Sequence, residues 1–421
     1  MLEKLHQTFL KSSGVNTDTR IIAKNQLFFA LKGKNFNGNE YIEQALKNDA
    51  IHAVSSDAKW LTDPRVTVVK NTLTTLQELA TFHRNYLNIP IIALTGSNGK
   101  TTTKELILSV LTNQFKVKGT KGNLNNHIGV PITLLSFDTS LQIGVVEMGA
   151  NHPKEIAGLC NIAQPDIGLI TNYGKAHLEG FGSIEGVKNS KSELYAYLKE
   201  NNRKVIVGKW DPEQIVRTVG MNQFFTPSNT SIHSNTPFIQ FIVEGNLIKT
   251  QLTGVYNYHN ALFAYTVGKL MEMQPKQIIS GIENYAPKNN RSQIIIKNKT
   301  KIILDAYNAN PTSMSVALEN LASQNYINKT AILGDMFELG NYAAEEHQNI
   351  ASLTQKLKID DVYLIGENFF KSRITSAKQF EELSTFLKNT NINTDKEQVI
   401  LIKGSRGMGL EKILESQTLK N

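Results

Sequence analysis

A glycine-rich loop between a strand-like run and a helix-like segment constrains the fold of this chain most strongly. The run IIALT (91–95) is continuous and apolar up to its last residue, as expected of a strand buried on both faces of a parallel sheet. The segment TTKELILSVLTNQF (102–115) has a helix-forming sequence. We therefore predict a phosphate-binding loop that comprises Thr95, Gly96, Ser97, Asn98, Gly99, Lys100, Thr101 and Thr102. A glycine-rich turn that only caps the helix is the alternative.

The chemistry of phosphate binding explains this combination of residue types. Glycines let the backbone wrap around phosphates, and successive N–H groups with the helix N-terminus stabilise their charge. Lys100 would reach the terminal phosphates, and the hydroxyl of Thr101 would bind Mg²⁺. The spacing G-x-x-G-K-T is shorter than the general G-x-x-x-x-G-K-[ST] motif. The shorter loop therefore indicates a narrower class of nucleotide-binding proteins than the general motif does.

An acidic residue is expected near this loop to hold the metal. Glu147 is the penultimate residue of the run IGVVEM (143–148), which is otherwise apolar. Ligands of open α/β sheets collect at the carboxyl ends of the strands, so Glu147 is a candidate Mg²⁺ ligand. A carboxylate that merely ends a strand at the surface is the alternative.

The alternation of strand-like and helix-like segments predicts an α/β protein of three domains. The length of 421 residues agrees with this number at about 150 residues per domain. We predict a small mixed α/β domain (1–88), a central nucleotide-binding P-loop domain with a parallel sheet (89–290) and a smaller Rossmann-like domain (291–421). Residues 203–253 are expected to form an appended antiparallel portion. Helices are expected near 376–388 and 408–417 in the third domain.

The composition argues against several classes of protein. The net charge of +8 is distributed over the whole chain. Residues 1–88 contain 11 basic and 8 acidic residues, residues 89–290 contain 18 and 14, and residues 291–421 contain 16 and 15. This favours a solvated surface over a nucleic-acid partner. No apolar run approaches the roughly 18 residues of a membrane span, and none suggests a secretory signal. The single cysteine, Cys160, favours a cytoplasmic location.

Six further segments, considered together with the loop, resemble the Mur ligase family. The loop has the family's short form T-G-x-N-G-K-T, and the similarity covers residues 17–412. The segments are GNLNNHIGVP (122–131), EMGANHP (147–153), AHLEGFG (176–182), DAYNANPTSM (305–314), GDMFELG (334–340) and KGSRG (403–407). DAYNANPTSM and EMGANHP resemble the members that add D-alanyl-D-alanine to a muramoyl tripeptide.

The resemblance implies an ATP-dependent ligase that acts through an acyl phosphate. The implied partners are UDP-MurNAc-tripeptide and D-alanyl-D-alanine, with ATP, two Mg²⁺ ions and a carbamoylated lysine as cofactors, in a monomer. A relative that adds a single amino acid, to a muramoyl peptide or to folate, is the nearest alternative. A nucleotide-dependent switch without ligase activity is another, although guanine switches usually carry N-K-x-D, which does not occur here. A nucleic-acid-binding ATPase is the third.

The resemblance also implies catalytic and metal-binding roles for particular residues. Lys100 would bind the β- and γ-phosphates, and Thr101 with Glu147 would hold the first Mg²⁺. His177 corresponds to the ligand of a second Mg²⁺, with a loop histidine bonded to backbone as the alternative. Lys191 aligns with the lysine that is carbamoylated and would then face the metals. The local sequence alone would make Lys191 a solvated helix residue.

Further residues match the family's nucleotide and substrate contacts. Near the nucleotide these are Asn257, Asn260, Arg291 and Asp305, for which helix capping or a surface charge is the alternative. The residues that match contacts to the uridine nucleotide are Thr19, Arg20, Lys32 and Asn37. Asn125 and Asn126 match contacts to the muramoyl peptide. Asp335, Ser405 and Arg406 match residues in third-domain loops near the reaction centre. An arginine suits bidentate binding of a peptide carboxylate, and a salt bridge between loops is the alternative.

Overall fold

The computed structural model describes residues 1–288, 290–416 and 418–420. It has three domains, each built on a sheet that is wholly or mainly parallel. None of the helices in this part of the chain combines the length and the apolar character that a membrane crossing requires.

The first domain is a four-stranded parallel sheet in the order β1-β2-β5-β6 with flanking helices. Its elements are α1 (Leu2–Leu10), β1 (Val15–Asn16), β2 (Leu27–Phe29), β3 (Lys32–Gly33), β4 (Phe36–Asn37), α2 (Ile42–Lys47), β5 (His52–Ser55), β6 (Val66–Val68) and α3 (Thr72–Leu87). The side chain of Asn71 accepts from the N–H of Thr74 at 3.0 Å and caps α3.

Helix α3 joins this domain to the next. It packs against the helices of the central domain, and the buried Arg84 forms an ion pair of 2.7 Å with the partly exposed Asp166. His83 is also bonded across this junction, through Nε2 to the carbonyl oxygen of Phe137 at 3.0 Å. The first domain is therefore anchored to the central sheet through one amphipathic helix.

The central domain contains a six-stranded parallel sheet in the order β12-β11-β10-β7-β9-β8. Its elements are β7 (Ile91–Thr95), α4 (Lys100–Leu111), β8 (Val117–Gly119), α5 (Gly129–Leu135), β9 (Ile143–Glu147), α6 (Glu155–Ala163), β10 (Ile167–Ile170), α7 (Leu178–Phe181), α8 (Ile184–Glu200), β11 (Lys204–Val207), α9 (Pro212–Arg217) and β12 (Asn222–Phe225). Strand β7 is fully buried between β9 and β10, and the direction of strand addition reverses beside it. This is the switch point at which open α/β sheets bind ligands.

An antiparallel three-stranded sheet and two helices complete this part of the chain. They are β13 (Thr230–Ser234), β14 (Gln240–Val243), β15 (Asn246–Lys249), α10 (Tyr256–Leu270) and α11 (Pro275–Asn284). The prediction of an antiparallel portion over 203–253 was wrong for its first half. Strands β11 and β12 extend the parallel sheet instead, because their connections through helices bring them alongside β10.

The third domain has a six-stranded sheet in the order β16-β17-β22-β18-β19-β20, in which only β16 runs antiparallel. Its elements are β16 (Gln293–Lys297), β17 (Thr300–Asp305), α12 (Pro311–Ser323), β18 (Asn328–Gly334), α13 (Ala343–Lys356), β19 (Asp361–Ile365), α14 (Glu367–Phe370), β20 (Lys378–Phe380), α15 (Leu383–Asn389), β21 (Ile392–Asn393), β22 (Gln398–Lys403), α16 (Lys412–Glu415) and β23 (Leu419–Lys420). The segment near 376–388, expected to be one helix, contains the short strand β20 followed by helix α15. In the segment near 408–417, the described residues contain the four-residue helix α16, and residue 417 lies outside the described residues.

Candidate active site

A cavity of about 600 Å³ lies where the carboxyl ends of the central strands meet the third domain. The central domain contributes the phosphate loop, the end of β9 and the loop that follows β10. The third domain contributes the residues after β17 and the start of α12. The cavity is therefore shared between two domains, which is a common location of ligand sites.

The loop after β7 has the backbone geometry of a phosphate cradle. Gly99 has a φ of +75°, and a Cβ there would lie 2.6 Å from Oδ1 of Asn260, so only glycine fits. No side chain caps the start of α4, which leaves the N–H groups of its first turn for an anion. Lys100 Nζ donates to the carbonyl oxygens of Gly96 at 2.7 Å and Ser97 at 3.3 Å. Burial lowers the pKa of Lys100, against the opposing effect of nearby Glu147.

Glu147 lies beside this loop rather than at the surface. Its carboxylate is buried and accepts from the hydroxyl of Thr101 at 2.8 Å and from Nδ2 of Asn125 at 2.8 Å. A hydroxyl oxygen and a carboxylate oxygen thus converge at the end of the phosphate loop. Oxygen donors of this kind suit Mg²⁺, which usually takes one or two carboxylates and completes its shell with substrate phosphates.

No group of three or more His, Cys, Asp or Glu side chains arranged for a metal occurs in the described part of the chain. The oxygen donors of Thr101 and Glu147 fit the Mg²⁺ that the resemblance implies.

His177 connects the central domain to the third domain. It has a left-handed φ of +52° at the start of α7 and lines the cavity. Its Nδ1 atom lies 2.5 Å from Oε2 of Glu338, and this contact lowers the pKa of Glu338. The partner is a carboxylate and not the backbone, and its position leaves Nε2 as the nitrogen that can face a ligand.

Lys191 is fully buried in α8, so the solvated position suggested by its local sequence was wrong. Its Nζ atom donates to the carbonyl oxygen of Ala150 at 3.1 Å and lies 5.0 Å from the ring centroid of Phe181. Burial, reinforced by the charge of Lys100, holds the pKa of Lys191 well below its usual value. Ala150 beside it lines the cavity.

Asn257 and Asn260 both line the cavity and bond to one another, with Nδ2 of Asn260 donating to Oδ1 of Asn257 at 2.9 Å. Asn257 also donates to the carbonyl oxygen of Thr253 at 2.8 Å, but it lies inside α10 and does not cap it. Sequence reasoning missed the neighbouring aromatic pair, in which the rings of Trp210 and His259 stack at 4.1 Å and 8°. Their positions, 49 residues apart, offered no signal.

Arg291 and Asp305 reach the cavity from the third domain. The guanidinium of Arg291 lies 3.6 Å from the ring centroid of Tyr307. Asp305 accepts from the N–H of Ser292 at 3.0 Å and forms an ion pair of 2.5 Å with Lys403. Sequence reasoning did not assign Lys403, although a lysine at the carboxyl end of the buried strand β22 was a usable signal.

The remaining residues implied by the resemblance fall into two groups. Asn125 and Asn126 line the cavity, whereas Thr19, Arg20, Lys32 and Asn37 lie in the first domain, none of whose residues line it. Within the third domain, Asp335 accepts from the N–H groups of Asn368 and Phe369, and Ser405 accepts from that of Phe337. Arg406 lies 5.1 Å from the ring centroid of Tyr307. Asp335, Ser405 and Arg406 are not among the residues that line the cavity.

A three-domain α/β fold with a short phosphate loop and an acidic residue at the next strand end defines a class of nucleotide-dependent P-loop enzymes. Three family models match consecutive parts of the chain: the Mur ligase family, catalytic domain (11–92), the Mur ligase middle domain (94–268) and the Mur ligase, glutamate ligase domain (290–406). With relatives 34% identical over 96% of its length, the chain belongs to the Mur ligase family. The resemblance inferred from the motifs is confirmed.

The similar proteins extend over nearly the whole chain. The UDP-N-acetylmuramoyl-tripeptide–D-alanyl-D-alanine ligase of Bacillus subtilis is 34% identical, with 96% of this chain and 92% of that protein covered. The enzyme of the same name from Escherichia coli is 31% identical, with 96% and 93% covered. Among solved structures, MurF from Acinetobacter baumannii has a TM-score of 0.86 and 27% identity, with 99% and 98% covered. MurF ligase from Thermotoga maritima in complex with ADP has a TM-score of 0.85 and 25% identity, with 97% and 98% covered.

Proposed function

We propose that the chain joins D-alanyl-D-alanine to the terminal carboxylate of UDP-MurNAc-tripeptide, with conversion of ATP to ADP and phosphate, in peptidoglycan synthesis. The contact between Thr101 and Glu147 at the phosphate loop, inside a cavity shared by two domains, carries this proposal. The names of the relatives from Bacillus subtilis and Escherichia coli support the choice of substrates. The ADP complex of the Thermotoga maritima relative supports the nucleotide.

The reaction requires positioning and charge neutralisation more than covalent participation by the protein. The tripeptide carboxylate attacks the γ-phosphate, which gives an acyl phosphate and ADP. The N–H groups at the start of α4 and the ammonium of Lys100 stabilise the charge on the phosphates. The amine of D-alanyl-D-alanine then attacks the acyl carbon and phosphate leaves. Third-domain residues line part of the cavity, and closure of this domain would keep water from the acyl phosphate.

Two Mg²⁺ ions would be held by Thr101 with Glu147 and by His177, respectively. Bound there, they would neutralise the charge of the phosphates during transfer. Arg291 lines the cavity from the third domain and would face the same phosphates. Asp305 is suited to accept from the ribose hydroxyls, and Asn257 and Asn260 lie where the base would be bound.

Lys191 is proposed to carry a carbamate. A neutral amine attacks CO₂ and loses one proton, which gives a carboxylate-like group where an ammonium would be repelled by metal ions. The burial of Lys191 and its depressed pKa support this reaction.

The division into domains at 1–88, 89–290 and 291–421 is part of the same proposal. The first domain would hold the uridine nucleotide through Thr19, Arg20, Lys32 and Asn37, and Asp335, Ser405 and Arg406 would shape the dipeptide side. A monomer in the cytoplasm, as inferred from the sequence, remains our expectation.

An acceptor panel tests the proposal directly. Phosphate release from ATP would be followed with UDP-MurNAc-tripeptide and, in turn, D-alanyl-D-alanine, D-alanine, L-lysine and L-glutamate. Release that depends on D-alanyl-D-alanine supports the proposal. Release that depends on a single amino acid would assign the chain to another branch of the family, and amine-independent release would indicate a nucleotide switch.

A further inference from the structure

A direct hydrogen bond joins the phosphate loop to the third domain. Nδ2 of Asn310 donates to Oδ1 of Asn98 at 2.7 Å, across 212 residues of sequence. Asn98 lies in the middle of the loop, and Asn310 immediately precedes α12. Both residues line the cavity. The phosphate loop therefore contacts a specific side chain of the other domain.

The orientation of the Asn310 amide is set by its role as the N-cap of α12. Its Oδ1 accepts from the N–H of Ser313 at 2.9 Å, and the hydroxyl of Ser313 accepts in return from the N–H of Asn310 at 3.0 Å. Because Oδ1 is committed to this capping box, Nδ2 is the atom that faces Asn98. The amide of Asn310 can then only donate toward the loop.

This donor determines the orientation of Asn98 in turn. With Oδ1 of Asn98 accepting, its own donor Nδ2 is buried and has no hydrogen-bond partner in the described part of the chain. The backbone of Asn98 is held independently, since its N–H donates to Asn172 and its carbonyl oxygen accepts from Thr171 and Asn172. A buried amide donor without an acceptor costs free energy unless a ligand supplies one.

A second set of hydrogen bonds fixes the position of α12 relative to the phosphate loop. The hydroxyl of Ser97 exchanges hydrogen bonds of 2.9 Å with the backbone of Gly174, and the N–H of Lys175 donates to Thr312 at 3.0 Å. The start of α12 therefore rests on the loop after β10, which itself rests on the phosphate loop. Movement of α12 away from this position would break the bond between Asn310 and Asn98.

We propose that Asn310 is a positioning residue that acts through Asn98. When the third domain is docked, Asn310 holds the Asn98 amide so that Nδ2 is presented to the terminal phosphate of ATP. When the third domain is displaced, Asn98 loses this constraint and the contact. The loop would thereby bind the γ-phosphate most strongly in the docked arrangement. This inference rests on the proposed function only in that the loop binds ATP.

The Asn310→Ser variant tests the positioning of Asn98 separately from the capping of α12. Serine retains an oxygen that can cap α12 but has no amide to reach Asn98. The matched control is Asn320→Ser, because Asn320 donates across the same pair of domains, to Thr253 at 3.2 Å, without contact to the phosphate loop. Asn98→Ala removes the receiving side chain and leaves the cap of α12 intact.

Calorimetric titration with ADP and with a non-hydrolysable ATP analogue provides the test. We expect Asn310→Ser and Asn98→Ala each to weaken analogue binding about tenfold, the loss of roughly one charge-assisted hydrogen bond. ADP binding should change less than about twofold, since ADP lacks the terminal phosphate. The double variant should be no weaker than Asn98→Ala alone, and Asn320→Ser should match the wild type.

Equal losses for ADP and the analogue, additive losses in the double variant, or an unchanged Asn310→Ser protein would overturn the proposal. Should Asn310→Ser fail to fold, Asn98→Ala alone decides, because the selective loss of analogue affinity is expected there too. None of these titrations uses a peptide substrate. Failure of D-alanyl-D-alanine ligation would therefore leave their result intact.

Discussion

Nδ1 of His177 in the central domain lies 2.5 Å from Oε2 of Glu338 in the third domain. Two hydrogen bonds lie beside this contact: the N–H of Glu179 donates to the carbonyl oxygen of Glu338 at 3.2 Å, and the hydroxyl of Tyr342 donates to the carbonyl oxygen of Gly182 at 3.3 Å. The segment that supplies a candidate metal ligand thus also carries the domain contact. Domain docking and the geometry of His177 are coupled.

Glu338→Ala should therefore reduce activity far more than stability. Glu338 is about half exposed, so loss of its contact with His177 should cost no more than about 1 kcal/mol of unfolding free energy. Its loss frees the His177 ring, and kcat for phosphate release should fall about tenfold. Glu345→Ala, at an exposed position of α13, is the control. Equal activity of the two variants would contradict the coupling.

Thr101→Val should abolish most of the activity, and Thr101→Ser should keep most of it. Valine preserves the shape but removes the hydroxyl that meets Glu147, and we expect kcat to fall on the order of 100-fold. Serine retains the hydroxyl. A chelator should abolish wild-type activity, and added Mg²⁺ should restore it. Similar rates for the two variants would argue against a role for this hydroxyl.

Lys191 should form an adduct with CO₂, detectable by ¹³C NMR after addition of labelled bicarbonate. Lys191→Met should eliminate the carbamate signal and lower kcat. Lys104→Met should leave the signal intact. Lys104 is equally buried, but its Nζ is engaged by Glu105 at 2.7 Å and it does not line the cavity. A signal that persists in Lys191→Met would assign the carbamate elsewhere.

The junction of the first and central domains should weaken in mild acid. Nε2 of His6 lies 3.0 Å from Nδ1 of His83 in a buried cluster, and burial lowers the pKa of both residues. The unfolded chain takes up these protons below about pH 6.5, whereas the native state does so only at lower pH. Stability should therefore be complete above about pH 6.5 and decline as the pH falls toward the native pKa values.

Replacement of one member of this pair provides the measurement. Unfolding free energy would be compared between pH 7.5 and 5.5 for the wild type, His6→Phe and the exposed-site control His152→Gln. We expect the pH dependence to shrink only in His6→Phe, by at most about 1.4 kcal/mol per unit of pKa depression. Equal pH dependence in all three proteins would contradict the assignment.

The phosphate loop and the three-domain α/β fold were predictable because their signals are local. Apolar strands, glycines and caps such as Asn71 act over a few residues. The pairing of β11 and β12 was not predictable in this way, since a short apolar strand carries no mark of parallel or antiparallel neighbours. Contacts such as Asn98–Asn310 and His177–Glu338 join distant segments and depend on how the domains dock.

The burial of Lys191 could have been predicted from its position in the sequence. It follows Val187 by four residues and precedes Leu194 by three, which places it on the buried stripe of α8. The charge of a lysine side chain favours an exposed position, but tertiary packing buries Lys191.

The central claim is dipeptide ligation, and mass spectrometry of the reaction product tests it most directly. The chain would be incubated with ATP, Mg²⁺, D-alanyl-D-alanine and UDP-MurNAc-tripeptide containing either lysine or diaminopimelate. We predict that one of the two tripeptides becomes UDP-MurNAc-pentapeptide, with one ADP formed per product. Unchanged tripeptides, or addition of a single amino acid in place of the dipeptide, would contradict the account.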